Sequence, residues 1–191
     1  MVAQSRDVIT NPSVSTFERY ERRGSIGNAG VYVGVAAVVA GVLGFVAALL
    51  PWVPGNPFGA LIGGALSAVA GFFVFTGMVF LLGKNIAGGS GSWDEVAYTF
   101  SLFIAPLTIG SAVISFVVSL LGSIPLLGAL IGLAGLLVSL GFLLGWAYFA
   151  YLAVQSSMNI HDQGKAIITL VLSVIGSFVV QAILGSIFFF L

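Results

Sequence analysis

The sequence predicts an all-α integral membrane protein: a bundle of five transmembrane helices, its N terminus cytoplasmic, with a short N-terminal amphipathic helix. Three observations predict it. Apolar residues make up 59% of the 191 residues and charged residues only 6%, against roughly 25% charged in a soluble domain, too little to coat a water-facing surface. The apolar residues run without interruption over the ~20 positions that cross a bilayer. Every charged residue falls in a segment that five spans place on one side. The same composition excludes a disordered chain, which is poor in aliphatic residues and rich in charge. With no Cys there is no disulfide framework, thiol catalysis or Cys-based metal site. Six basic and six acidic residues cancel, so nothing suggests nucleic acid as a partner.

Residues 1–28 read as a cytoplasmic segment and 29–191 as the transmembrane domain, with spans at about 29–50, 59–83, 97–121, 126–155 and 165–190. The hairpin between the first two spans is closed by Pro51, Pro54 and Pro57. The charge-free stretch Val96–Gln155 is long enough for two spans, and the Gly/Pro signal Gly122-Ser-Ile-Pro125 divides it. Arg6, Arg19, Arg22 and Arg23 precede the first span, Lys84 follows the second and Lys165 precedes the fifth. The acidic residues Asp7, Glu18, Glu21, Asp94, Glu95 and Asp162 share that side, and the opposite loops carry no charge. By the positive-inside rule the charged side is cytoplasmic. The opening 28 residues are too polar for a signal peptide and the first span too long for its apolar region, so that span is an uncleaved anchor. Arg22-Arg23 is followed by Gly-Ser-Ile-Gly, which gives a twin-arginine reading no support.

Residues 12–23 read as the amphipathic helix, with Ser15-x-x-Glu18 as a capping box and Gly24 as its stop. Arg19, Arg22 and Arg23 share one face, while Val14, Phe17 and Tyr20 are expected to dip toward acyl chains. Attraction to anionic lipid contributes about 1 kcal/mol per basic residue, less what Glu18 and Glu21 offset. In the loop before the third span, Gly88, Gly89 and Gly91 give flexibility. There Ser92-x-x-Glu95 is a second capping box, and Asp94 and Glu95 sit well at the positive helix end. Asp162 is placed to cap the fifth span and Lys165 to snorkel to the headgroups. His161 reads as a solvated loop residue.

Catalytic and metal signals are missing. Gly88-Gly-Ser-Gly91 matches the Gly-x-Ser-Gly of rhomboid proteases, but Ser90 lies in a loop and the single His, His161, in another. A serine nucleophile needs an adjacent base. Neither Gly83-Lys84 nor Gly164-Lys165 is followed by Ser or Thr, so there is no phosphate-binding loop. No charged residue lies inside a span, whereas coupled pumps, voltage sensors and intramembrane hydrolases keep ionisable groups there. No catalytic residue, cofactor or metal is expected.

The spans hold small-residue seams that let helix backbones approach. The first carries Gly30, Gly34, Ala37, Gly41, Gly44 and Ala48. The second offers Gly63, Ser67 and Gly71, and the fourth Gly128, Gly132, Gly135 and Ser139. The third aligns Thr108, Ser111, Ser115 and Ser119; the fifth aligns Thr169, Ser173, Ser177, Gln181 and Gly185. These hydroxyls either bond across helices and back to their own carbonyls, or line a weakly polar groove for a lipid headgroup or small solute. Pro106, in the third span, frees the carbonyl of Leu102 and predicts a kink, with Ser101 the nearest hydroxyl to answer it.

The stretch from Gly88 through Trp93-Asp-Glu to Pro106 resembles the start of the third helix in the YIP (Ypt-interacting protein) family of five-span membrane proteins. There, too, a Gly-rich loop and a helix start lead through an aromatic residue to a mid-helix proline. The resemblance continues through Leu121–Gly128 and ends at Gly164-Lys165-Ala166; the opening Asn11-Pro12…Phe17 is similar to prokaryotic members. It implies five helices with a cytoplasmic N terminus and, for a prokaryotic-type member, the cytoplasmic (inner) membrane. Eukaryotic members bind Rab-type GTPases and act in vesicle traffic or membrane shaping. This chain departs from them in lacking their long N-terminal region and their Asp-Leu-Tyr-Gly-Pro-type motif.

Three functions are compatible with these features. The first is a non-enzymatic membrane organiser that recruits a partner through Trp93, Asp94, Glu95, Tyr98, His161, Asp162 and Lys165. The second is an accessory subunit of a larger membrane complex. The third is a flippase-like conduit for a lipid or small neutral solute along the hydroxyl stripes. Expected partners are membrane lipids, another membrane or cytoplasmic protein, and a further copy of the chain.

Overall fold

The computed structural model describes residues 1–122, 124 and 127–189. Among them are seven α-helices, one π-helical turn and no strand. Two short helices, α1 (Val2–Thr10) and α2 (Val14–Glu21), precede five long ones. These are α3 (Ile26–Ala48), α4 (Gly64–Asn85, entered through the π turn Gly59–Gly63), α5 (Trp93–Leu121), α6 (Leu127–Ser157) and α7 (Gln163–Phe189). All five are long and apolar enough to cross a membrane. Ser123 and Pro125 of the turn expected between the third and fourth spans, and residue 190 at the expected end of the fifth, lie outside the described residues.

The helix starts follow their caps. Ser25 accepts the amide of Asn28 at the head of α3, which moves that start ahead of the apolar run. On α5 the predicted capping box is complete: Ser92 Oγ accepts the Glu95 amide at 3.3 Å and Glu95 Oε2 accepts the Ser92 amide at 2.7 Å. Asp162 Oδ1 accepts the Lys165 amide at 3.1 Å, capping α7 as expected. The π turn has no counterpart in the sequence reading. It fits because Gly41 faces it: a Cβ there would stand 2.7 Å from the Leu61 carbonyl oxygen. That approach is open to glycine alone.

The helix α5 is central, packed on α3, α6 and α4, while α7 lies against α4 and α6. Of the first-span seam, Gly30 meets Phe73 and Gly44 meets Ala60, both from the second span, whereas Gly34 faces open space. The core sits at the end of the bundle that carries the charges. On α5 residues 96–103 and Ala105 are buried, and on α6 most of 150–157. An aromatic ladder ties the helices there. Phe75 of α4 lies 5.4 Å from Phe100 and 5.2 Å from Trp146, and Phe103 lies 5.4 Å from Phe100 and 5.7 Å from Phe149.

Two expectations within the spans are corrected. Pro106 lies within α5, and the Ser101 hydroxyl, expected to answer the carbonyl that Pro106 frees, donates to the Tyr98 carbonyl at 2.7 Å rather than to Leu102. A serine side chain turned back onto its helix reaches only the preceding turn, and Leu102 lies after it. The hydroxyl stripes of α5 and α7 do not form one groove, because α7 packs on α4 and α6 rather than on α5. Ser173 donates to Thr169 and Ser177 to Ser173, at 2.7 and 2.6 Å, and all three residues are buried. Gln181 reaches Gly71 of α4.

Candidate functional site

The charged end of the bundle is closed by a cap made of α1, α2 and the loops at 86–92 and 158–162. Its foundation is α2. Ser13, not Ser15, is the N-cap, accepting the Thr16 amide at 3.2 Å. Phe17 is 0% exposed, its ring edge-on to Phe103 at 6.2 Å between centroids. The expectation that Phe17 dips into acyl chains is therefore corrected. The dense aromatic packing of α5 and α6 offers more contacts than fluid lipid does.

Four residues along α2 from Phe17, and so on the same helical face, Glu21 is 5% exposed. Its Oε2 accepts the Ser156 hydroxyl of α6 at 2.8 Å. Arg22 bridges two carboxylates, with Nε 3.7 Å from Glu21 and 3.5 Å from Glu95. Burial pushes the Glu21 carboxyl above its ordinary value, and the negative charges of Glu95 and Glu18 add to this. The Ser156 hydrogen bond and Arg22 oppose it. This cluster joins α2, α5 and α6, which are remote in sequence.

The helix α1 was not foreseen. It is held by three ties. The Tyr98 hydroxyl of α5 donates to Gln4 Oε1 at 2.6 Å, and the Tyr32 hydroxyl of α3 donates to Ser5 Oγ at 3.0 Å. Asp7 Oδ2 accepts from the Tyr20 hydroxyl at 2.8 Å and from Arg19 at 3.1 Å. The hydrogen bonds from Tyr20 and Asn11, with the Arg19 charge, hold the Asp7 carboxyl below the ordinary aspartate range. Gly24 passes directly over the Tyr98 ring, where a Cβ would collide with it.

The two loops form one platform. The Ser90 amide donates to the Met158 carbonyl at 3.0 Å, and Asn159 Nδ2 donates to Ser90 Oγ at 3.2 Å. Gly91 lies against the Ser157 carbonyl and Gly89 against Met158, spaces a Cβ would fill. The loop read as flexible is thus seated, and its glycines serve close approach as well as the turn at Gly88 (φ +72°).

The surface nominated from sequence divides into two sets. Tyr98 is buried, 2% exposed, so it presents nothing to a partner; α1 and Gly24 cover it. Asp94 accepts the Ile26 amide at 2.7 Å and fixes the start of α3, while Glu95 serves its capping box and Arg22. Asp162 is spent on the α7 cap but stays exposed. Trp93 is half-exposed, its Nε1 3.5 Å from Thr76 Oγ1. His161 and Lys165 are exposed at the platform rim. Sequence reasoning missed Glu21 and Ser156; the spacing of Glu21 from Phe17 was the available signal. Among the described residues no group of three or more His, Asp or Glu could hold a metal ion.

These features define a class: a five-span helical membrane protein whose cap is a packed structural element with a polar outer rim. The chain belongs to the Yip1 domain family, whose model matches residues 6–184. No curated protein and no solved structure matches it. Membership makes this an integral, multi-pass membrane protein of a membrane-associated, trafficking type, in a family not known as enzymatic.

Proposed function

We propose that the protein is a non-enzymatic membrane organiser that recruits a partner at the cytoplasmic face, through the platform rim. One observation carries this reading. The loops at 86–92 and 158–162 are bonded into a single rigid surface, and His161 and Lys165 stand on its edge with side chains the fold does not employ. Rigid presentation lowers the ordering cost of binding. Asp94, Glu95 and Tyr98 act behind that surface, holding α1, α2 and α3 in register. The conduit reading has weaker support: Ser111, Ser119, Ser173 and Ser177 turn their hydroxyls to carbonyls of their own helices, and Thr169 of the same stripe keeps a buried hydroxyl without a partner among the described residues. The prokaryotic inner membrane is the location we infer from the positive-inside pattern and the resemblance to prokaryotic members.

The test is cross-linking in native membranes, comparing wild type with His161→Ala/Lys165→Glu and with Leu136→Ala on the lipid-facing side. The expected result is one discrete cross-linked species, lost in the first variant and kept in the second. Retention of that species in both variants, or solute transport by the purified protein in vesicles, overturns the proposal.

A further inference from the structure

The last turn of α6 is clasped from two sides. On one side stands α2, whose Glu21 Oε2 accepts the Ser156 hydroxyl at 2.8 Å. On the other stands the loop at 86–92, with Gly91 against the Ser157 carbonyl and the Ser90 amide donating to the Met158 carbonyl at 3.0 Å. Ser156, Ser157 and Met158 are consecutive and buried. The helix ends in a left-handed residue, Asn159 (φ +53°), with the paired bonds of a Schellman motif. The Asn159 amide donates to the Ser156 carbonyl at 2.9 Å and the Ile160 amide to the Gln155 carbonyl at 3.0 Å. Asn159 Nδ2 then donates to Ser90 Oγ at 3.2 Å. One chain of hydrogen bonds thus runs from Glu21 through Ser156 and Asn159 to Ser90.

Ser156 is the joint in that chain, since its hydroxyl serves α2 while its carbonyl holds Asn159. Its neighbour Ser157 turns its hydroxyl back to the Ala153 carbonyl at 2.6 Å. Without Glu21, Ser156 has the same recourse on the Leu152 carbonyl, and such back-bonding bends a helix. The bend would fall on the turn that sets Asn159, whose left-handed backbone persists only where its surroundings enforce it. At the other end of the chain, α2 has two states. It holds eight residues and α1 nine, and helices that short do not persist alone in water. Their docking buries Val8 and Phe17 completely. Residues 1–23 are therefore docked and helical, or released and unfolded.

We propose that residues 1–23 are a strap that controls the seating of the platform. With α2 docked, the last turn of α6 holds the loop at 86–92 in place; with α2 released, that loop and the one at 158–162 come loose together. The seating is a property of the chain alone. Its regulatory consequence rests on the partner-recruiting rim proposed above: a loosened platform must be ordered again before it binds, so release of the strap weakens recruitment. By the reciprocity of coupled equilibria, a bound partner holds the strap down.

The experiment is hydrogen exchange of the full chain in lipid nanodiscs, read at residues 86–92 and 157–162, with residues 72–79 of α4 as the reference. Phe17→Ala releases α2 and leaves every member of the hydrogen-bond chain in place. Exchange in both loops is expected to rise by at least about fivefold, the lower end of ordinary coupling between sites, with the reference unchanged. Ser156→Ala keeps Phe17 in its seat and cuts the chain. It should raise exchange in the same two loops, and it decides the matter where Phe17→Ala fails to fold. Wild-type protection of the loops in Ser156→Ala, or in Phe17→Ala once α2 exchanges freely, overturns the proposal. So does a rise that the reference shares equally. Cross-linking of the same variants in native membranes reads recruitment separately. Loosened loops with an undiminished cross-linked species overturn the regulatory consequence, whereas a wild type with no such species overturns the recruiting function and leaves the strap standing.

Discussion

The two ends of this bundle are built under different solvents. At the charged end, α5 is buried continuously from Val96 to Phe103 and α6 over most of 150–157. At the uncharged end no described residue of α5 beyond Ala105, nor of α6 before Ala150, is buried. The solvent at each end explains this. The charged end must bury its apolar surface in protein, and it recruits α1, α2 and two loops to do so. The uncharged end is bathed in lipid, which is as apolar as leucine, so close packing there gains little. Three cavities lie along the less packed stretch of α5 and its neighbours.

The sharpest way to break this contrast is to remove a large side chain from each end. Phe17→Ala takes the ring from the 0%-exposed position against Phe103. It should cost about 3–5 kcal/mol, the usual range for a core phenylalanine. Leu136→Ala, from a residue 63% exposed, should cost less than about 0.5 kcal/mol, as surface changes do. Denaturation midpoints in mild detergent measure both. Equal losses would mean that the two ends are packed alike.

Next in size is Gly24→Ala. The added methyl meets the Tyr98 ring, and overpacking of this kind costs roughly 1–3 kcal/mol. It should also expose residues 1–23 to protease, because Tyr98 carries the tie to Gln4. Gly24→Ala/Tyr98→Ala relieves the clash and should recover part of the stability while leaving α1 loose. Recovery of α1 protection in the double variant would show that the Tyr98–Gln4 bond is dispensable.

How much of this was legible in the sequence follows the same division. The spans were, because a run of twenty apolar residues is a local property that no tertiary context overrides. So were the Ser92–Glu95 box and the Asp162 cap, whose partners lie three residues away. The cap was not. The helix α1 is tied by Gln4, Ser5 and Asp7 to Tyr98, Tyr32 and Tyr20, pairings that only the folded chain brings together. The role of Glu21 was hidden for the same reason, since Ser156 is 135 positions away. Tyr98 looked like surface because it stands one turn inside a helix that begins at a loop. That the following segment of α5 lines cavities was half legible: the stripe could be read, but the direction of its hydroxyls could not.

At the uncharged end the tie from Trp52 to the Ser119 carbonyl is the specific polar contact that holds the hairpin loop to α5. Trp52→Phe keeps the ring and removes the donor. A single such hydrogen bond contributes about 0.5–1.5 kcal/mol, so the midpoint should fall slightly and the cap should be untouched. Hydrogen exchange should rise at residues 51–58 with no change in α1 or α2. A rise in α2 would mean that the two ends are coupled through α5.

The smallest effect separates α1 from α2 by pH. Glu21 has its carboxyl raised above the ordinary 4.5 by burial. The docked state therefore holds the proton better than the undocked one, and docking of α2 strengthens as pH falls from neutral toward 4.5. Asp7 has its carboxyl lowered below 3.8, chiefly by the Tyr20 hydrogen bond. Its contribution is present above 3.8 and is lost only as pH falls further. Acidification from pH 7 to 4.5 should thus raise the protection of α2, measured as exchange relative to the intrinsic rate at each pH, and leave the Asp7 tie of α1 intact, while below 3.8 α1 alone loosens. Glu21→Gln keeps an oxygen for Ser156 and removes the buried charge. Because Arg22 is largely exposed, the lost ion pair contributes no more than about 1 kcal/mol. The midpoint should barely move at neutral pH, and the response of α2 above 4.5 should become flat. A response that persists in Glu21→Gln would assign it to Glu95 or Glu18, the other carboxylates beside Glu21.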